Sequence, residues 1–457
     1  MFSWLKQSAK KFGLFSDDDP PPAKSGPRII PRDQHNISRA HISENALKVL
    51  YRLKQAGFQG YLVGGGVRDL LLGREPKDFD VATDARPEEI RQVFRNCRII
   101  GRRFRLAHVH FGREIIEVAT FRAQHGEDSD EDVTDGNGRI LSDNVYGTIE
   151  DDAWRRDFTV NALYYDIRDF SVVDYAGGVE DLNAGRLRII GDPVQRFRED
   201  PVRMLRAVRF AAKLGFRIDA ESERAIYELG HLLADISPAR LFDETLKMFQ
   251  AGYAAETFEL LRHYALFGYL FPETDAELKQ ERNHFPHVFV ARALENTDRR
   301  VEEGKAITPA FLVAALLWEP VAREAAKNRE HGMSELEAMQ VAGDAVVARQ
   351  VRHVAFPKRF TLQAREIWIL QERLKRRGGK RAETLIGHPR FRAGYDLLLL
   401  RAECGEGVAE LAEWWTQFQA QDEGGRRDMA AGVREPAKKR RRPRRRKRKP
   451  ADQGLAE

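Results

Sequence analysis

The periodicity of the chain changes once, near Asp192, and that change restricts the fold more than any other feature. Before it, short strand-like runs alternate with short helical ones; after it, helical spacing of apolar residues dominates to about Phe418. The pattern predicts an α+β fold: a small mixed β-sheet with helices in an N-terminal head, then a long all-α remainder. With 457 residues, 42% of them apolar, the chain can build two to four domains with cores of their own.

Inside the head the punctuation is explicit. Ser43 is an N-cap for a helix running to Ala56, with Gly57 as its C′ residue. Residues 58–63 read as a strand, followed by the turn Gly64-Gly65-Gly66 and a short helix ending at Gly73. A second strand is expected at 78–83, a helix opening on Pro87 at 87–94, and a hairpin from strands 106–111 and 114–121. Residues 17–31, rich in Asp and Pro, read as a linker; the polar, acidic 124–147 reads as a mobile loop.

The formal net charge of +6 is local. Lys438, Lys439, Arg440, Arg441, Arg442, Arg444, Arg445, Arg446, Lys447, Arg448 and Lys449 form a block of eleven cations broken only by Pro443, and without them the rest carries −5. Such a block cannot pack, so a disordered basic C-terminal tail is expected, read as an arm that binds the phosphates of a polyanion, with a solubilising tail as the alternative. Cys97 and Cys404 are the only cysteines, which excludes a disulfide framework or a four-cysteine zinc site and suits a reducing cytoplasm. No apolar run reaches the ~20 residues of a membrane span, and no secretory signal is recognisable. In residues 1–15, Phe2, Leu5, Ala9 and Phe12 recur at helical spacing among lysines. That segment could make peripheral membrane contact or dock on the protein itself.

Asp78-Phe79-Asp80 carries the chemistry. On a strand its two carboxylates share one face while Phe79 and Val81 enter the core, and a carboxylate pair of this kind can hold two Mg²⁺ ions against nucleotide phosphates. Taken alone, such a pair is usually just solvated. Glu117, set between Ile116 and Val118, is a third acid in a run that otherwise wants burial, and a metal would give it a partner. Upstream, Gly64, Gly65 and Arg68 lie at a strand-to-helix turn where backbone can approach phosphates; GxGxxG is absent, so a Rossmann reading does not fit.

The runs LVGGGVRDLLLG, PKDFDVAT, EVATFR, RRDFTVNALYYD and REDPVRMLRAVRFAAKLGF resemble, in order, the motifs of the class II tRNA nucleotidyltransferase/poly(A) polymerase family over about residues 40–250. The resemblance implies a nucleotidyltransferase head, helical neck, body and leg, two Mg²⁺ ions (Mn²⁺ substituting) and ATP as substrate. By position it makes Asp78 and Asp80 metal carboxylates and Asp157 a further active-site acid; whether Glu117 or Asp157 completes the metal site stays open. A capping role beside Thr159 and Asn161 is the structural alternative for Asp157. The resemblance also assigns Arg155 and Arg156 to ribose and phosphate contacts, and Glu199, Asp200 and Arg203 to reading the base. On one helix Glu199 and Arg203 would otherwise be a plain i,i+4 ion pair. The implied boundaries are 1–32 for the N-terminal segment and linker, 33–190 for the head, 191–255 for the neck, 256–425 for the body and leg, and 426–457 for the tail.

Within the family, residues 99–109, the opening stretch from IPRDQHNISRAH and the arginine-rich tail resemble bacterial poly(A) polymerases more than CCA-adding enzymes. No His-Asp dipeptide of a phosphohydrolase module occurs. The expected activity is addition of AMP from ATP to RNA 3′ ends, a tailing that promotes RNA decay, with RNA-degradation proteins as conceivable partners. The alternatives are a CCA-adding enzyme and a non-catalytic RNA-binding protein on the same scaffold; the intact acids weigh against the latter.

Overall fold

The computed structural model describes residues 26–101, 105–123, 145–280 and 288–433. The N-terminal segment 1–15, the loop at 124–144 and the eleven-cation block lie outside them. Eight strands form one sheet in the order β1-β8-β7-β2-β3-β6-β5-β4, wider than the small sheet expected. They are β1 Arg28–Ile30, β2 Gly60–Val63, β3 Asp80–Thr83, β4 Cys97–Ile100, β5 Leu106–Phe111, β6 Glu114–Thr120, β7 Leu163–Asp166 and β8 Val172–Asp174. All neighbours run antiparallel except β3 and β6, which are parallel.

The local signals behave as their chemistry dictates. Helix α1 (Glu44–Gln55) is capped by Ser43, whose Oγ accepts from the backbone N–H of Asn45 and Ala46. The hairpin β5–β6 turns on Gly112 at φ 62°. Helix α2 (Gly65–Leu71) begins inside the glycine run, and α3 (Pro87–Val93) begins on its proline. Three readings need correction. Part of the supposed linker is β1, whose Ile30 is buried as it pairs with β8; three residues are too few to show periodicity. Strand β4 passes unread because two of its four residues face solvent. Beyond Asp192, β10 (Arg217–Ile218) pairs in parallel with β9 (Arg186–Leu187), a two-residue ladder that ties neck to head.

The two faces of the large sheet differ. On one, Leu62, Val81, Val109 and Val118 pack with Val49, Leu50 and Leu53 of α1 in a core that runs without interruption into the helical region as far as Leu400. On the other, Tyr61, Val63, Ala82, Phe121 and Tyr164 meet Ala153 and Ile149 of α4 (Ile149–Arg155). Helix α5 (Gly178–Ala184) closes the head, and α6 (Pro193–Glu199) and α7 (Val202–Leu214) open the neck. The remaining helices pack on one another, and those at 380–386, 391–403, 409–420 and 423–431 build a second core around Trp415 and Phe418.

Candidate active site

Asp78 and Phe79 precede β3, which starts at Asp80; Phe79 and Val81 point inward, and Asp78 is exposed. Parallel pairing sets Asp80 directly opposite Glu117 of β6. Opposed residues in a ladder share a face. One row of side chains therefore crosses six strands: Tyr164, Val63, Asp80, Glu117, His108 and Arg98. His108 Nε2 stands 3.3 Å from Glu117 Oε1.

The electrostatics of this row favour a cation. Burial, and then the Glu117 carboxylate beside it, push the Asp80 carboxyl up to about 6, against the pull of Arg156. A carboxylate whose charge is disfavoured by burial and by a like-charged neighbour is one that a divalent ion would relieve. Among the described residues no group of three or more His, Cys, Asp or Glu side chains forms a metal cage. Asp80 and Glu117 instead present an open pair of hard oxygen donors, with Asp78 close enough to act on Asp80. An open pair fits Mg²⁺, which keeps several waters and binds through one or two carboxylates plus substrate phosphates.

The phosphate side is built by the turn at Gly64. Its φ of 73° is in the left-handed region, and a Cβ there would sit 3.3 Å from Arg156 Nη1. A Cβ on Gly66 would stand 3.4 Å from the Asp78 carbonyl oxygen, so that glycine lets α2 approach the Asp78 backbone. Arg156 is fixed by Asp152 Oδ2 at 3.0 and 3.1 Å and by the Tyr164 hydroxyl at 3.0 Å. Burial opposes its charge, but Tyr164 and Asp152 hold its proton more tightly than usual. Arg68 is placed differently from the sequence reading. It is 1% exposed and bonded to Asp69 at 2.6 and 2.8 Å and to Asn161 at 2.5 Å; its guanidinium lies behind Gly65, where a Cβ would stand 3.5 Å from Nη2, while that of Arg156 lies beside Gly64.

Asp157 has a charged partner. Its Oδ2 accepts from Arg206 at 2.5 and 2.8 Å, while Oδ1 accepts from the Phe158 N–H and from Asn161 Nδ2. Burial alone would raise this carboxyl, yet Arg206 and these donors hold it at about 2. The local bonds match the capping alternative, and Arg206 adds a tie between head and neck.

The base-reading triad spans a break. Glu199 ends α6, Asp200 caps it, and Arg203 lies in α7 after Pro201, so the expected single helix is two. The ion pair forms across the break: Glu199 Oε2 accepts from Arg203 and Arg196, each at 2.8 Å, and Asp200 accepts from Arg240 at 2.6 Å. Arg196 also donates to the carbonyls of Arg155 and Arg156, at 2.6 and 2.8 Å, while Arg155 donates to the Ala123 carbonyl. Sequence reading missed Arg196, Arg206 and Arg240. The spacing of Arg203, Arg206 and Arg209 three apart on one helix was the available signal for Arg206; Arg240 has none.

The chain matches the family models "Poly A polymerase head domain" over residues 60–188, "Probable RNA and SrmB- binding site of polymerase A" over 215–278, and "Polymerase A arginine-rich C-terminus" over 331–449. It is similar to Poly(A) polymerase I of Salmonella typhi, 54% identical over 86% of each chain. A CCA-adding enzyme of Lactobacillus helveticus is 39% identical over only 47% of this chain and 52% of its own. A solved CCA-adding enzyme in its apo form II superposes with TM-score 0.59 at 20% identity, covering 89% of this chain and 92% of that one, which supports the shared fold. No described helix is long and apolar enough to cross a membrane.

Proposed function

The chain belongs to the poly(A) polymerase I family, and we propose that Asp78, Asp80 and Glu117 are the carboxylates with which it adds AMP from ATP to RNA 3′ ends. The observation that carries this assignment is Asp80 and Glu117 facing each other across one ladder beside the Gly64 turn and Arg156. Two divalent cations held there, Mg²⁺ with Mn²⁺ able to substitute, would supply charge stabilisation at the phosphates and a more acidic attacking hydroxyl. The chain's own groups do the rest. Gly64 leaves room for the triphosphate, and Arg156, locked by Asp152 and Tyr164, offers it a fixed cation without reorganisation. The ribose 3′-hydroxyl of the RNA attacks the α-phosphorus and pyrophosphate departs. Asp157 keeps the neck against the head through Arg206. Purified protein with an unstructured RNA, Mg²⁺ and each NTP in a separate reaction tests this reading: repeated addition from ATP alone is expected, and two C residues followed by one A on a truncated tRNA would overturn it.

Base choice is assigned to Asp200 and Arg203, which border the α6–α7 break; Arg203 donates to the Arg196 carbonyl, and Arg196 in turn to the carbonyls of Arg155 and Arg156. A site that hydrogen-bonds one base edge leaves its own buried groups unpaired with the wrong base. Arg203→Ala should therefore lower the ATP-over-CTP ratio by about tenfold or more while slowing ATP addition less. A ratio that stays put would remove Arg203 from base reading.

The basic block at 438–449 is assigned to RNA phosphates. If half of its eleven cations engage them, deleting 436–457 should flatten the slope of log affinity against log salt by about 4, at ~0.7 per contact. Single-nucleotide addition at saturating RNA should hardly change; equal slopes would make the block a solubility element. Two cysteines and a polymerase acting on RNA suit a cytoplasmic enzyme in RNA turnover.

A further inference from the structure

Asp80 and Glu117 stand at a boundary on their face of the sheet. On one side, α4 covers the β7–β2–β3 half, packing Ala153 and Ile149 on Tyr61, Val63, Ala82 and Tyr164. On the other, no helix among the described residues covers the β6–β5–β4 half in this way, and Ile115 and Ile100 are 42% and 40% exposed. Ile115 is paired with His110, Ile100 with Leu106, and His108 with Arg98, so all six project from this face. The rings of His108 and His110 meet edge to face at 6.3 Å. Glu117 is the only carboxylate on this face of the three strands, because Glu114 points to the other and accepts from Ser43 and Asn45 there.

We infer that this open half-face is the platform on which the last nucleotides of the RNA lie before addition. The inference rests on Asp80 and Glu117 being the reacting centre, and deepens that reading by giving the second substrate a place. Displacement at phosphorus keeps the attacking and leaving oxygens roughly in line. Pyrophosphate leaves on the side of Gly64 and Arg156, so the 3′-hydroxyl arrives from the opposite side, over β6 and β5. The chemistry of that side suits single-stranded RNA. Imidazole rings and flat aliphatic side chains accept stacked bases of any sequence, and Arg98 provides a phosphate contact at the outer strand. A polymerase that must start on RNA ends of any sequence and then hold the adenosines it has added needs this kind of sequence-tolerant hold.

The test uses the full-length protein and a short unstructured RNA. His110→Ala, Ile115→Ser and their combination should each raise the KM for RNA, the double variant by about tenfold or more, as loss of one stacked base does. The KM for ATP and the rate at saturating RNA should stay within about twofold, and the melting profile should stay native. RNA carrying a photoreactive terminal base should crosslink within residues 96–115 of the wild-type protein. An unchanged RNA KM, a fall in the saturated rate alone, or crosslinks elsewhere would each overturn the platform. Asp80→Ala run alongside separates the two readings, since its retention of activity would remove the reacting centre rather than the platform.

Discussion

Asp80→Ala is expected to lower AMP addition by on the order of 10³-fold or more, the loss that follows when a group holding a metal is removed from a charge-dense centre. Asp78→Ala should act in the same direction. Neither should unfold the protein, and for Asp80 the opposite is expected. Its carboxyl titrates near 6 in the folded chain, above the ordinary 3.8, because burial and Glu117 disfavour the charge. A raised carboxyl makes the folded state bind more protons than the unfolded one. The penalty is therefore absent below about pH 4, grows between pH 4 and 6, and stays constant above. Asp80→Asn in metal-free buffer should raise stability by about 1–3 kcal/mol at pH 7.5 and by almost nothing at pH 4. Thermal melts at the two pH values, with and without Mg²⁺, measure this. A native-melting Asp80→Ala protein that keeps more than a tenth of its activity would exclude Asp80 from the reacting centre.

Arg206→Ala is expected to lower stability by about 2–4 kcal/mol. It strands Asp157, a buried carboxylate whose folded value near 2 depends on that guanidinium. The sign is opposite to that of Asp80. A depressed carboxyl contributes stability above about pH 4, which is lost as pH falls through 2. The wild-type advantage over Arg206→Ala should accordingly be full at pH 7 and shrink in strong acid. Asp157→Asn should lose much of the same stability, and a double-mutant cycle should show strong coupling. If Asp157→Asn abolished addition while leaving stability and coupling untouched, Asp157 would act at the reacting atoms instead of at the head–neck junction.

What the sequence discloses and what it hides follow from the range of the forces involved. Ser43, Pro87 and Gly112 act on their immediate neighbours, so α1, α3 and the β5–β6 hairpin are readable from local spacing. The carboxylates of the site are readable as well, because Asp78, Asp80 and Glu117 interrupt runs that otherwise want burial. Their grouping is not local. Only the parallel β3–β6 register, formed between segments 37 residues apart, sets Asp80 opposite Glu117. The same holds for Arg68, whose sequence position beside three glycines suggests a phosphate ligand. Asn161, 93 residues away, is what holds it inside. Arg240 reaches Asp200 across 40 residues with no periodicity to announce it. Strand β1 is hidden for a related reason: three residues become a strand only because β8 offers an edge.

The unbroken core that joins head and neck has a consequence for modular exchange within the family. Leu62 and Val81 of the sheet belong to the same apolar body as Phe197, Met204 and Leu205 of the neck. A recombination point placed at residue 190, where the mixed sheet gives way to helices, would cut through that body and leave both fragments with an uncovered apolar face. The same body continues past Leu214 to Leu400, so a junction after Leu214 cuts it as well, and chimaeras between poly(A)-adding and CCA-adding relatives joined at residue 190 or after Leu214 should both aggregate unless the facing apolar residues are exchanged together.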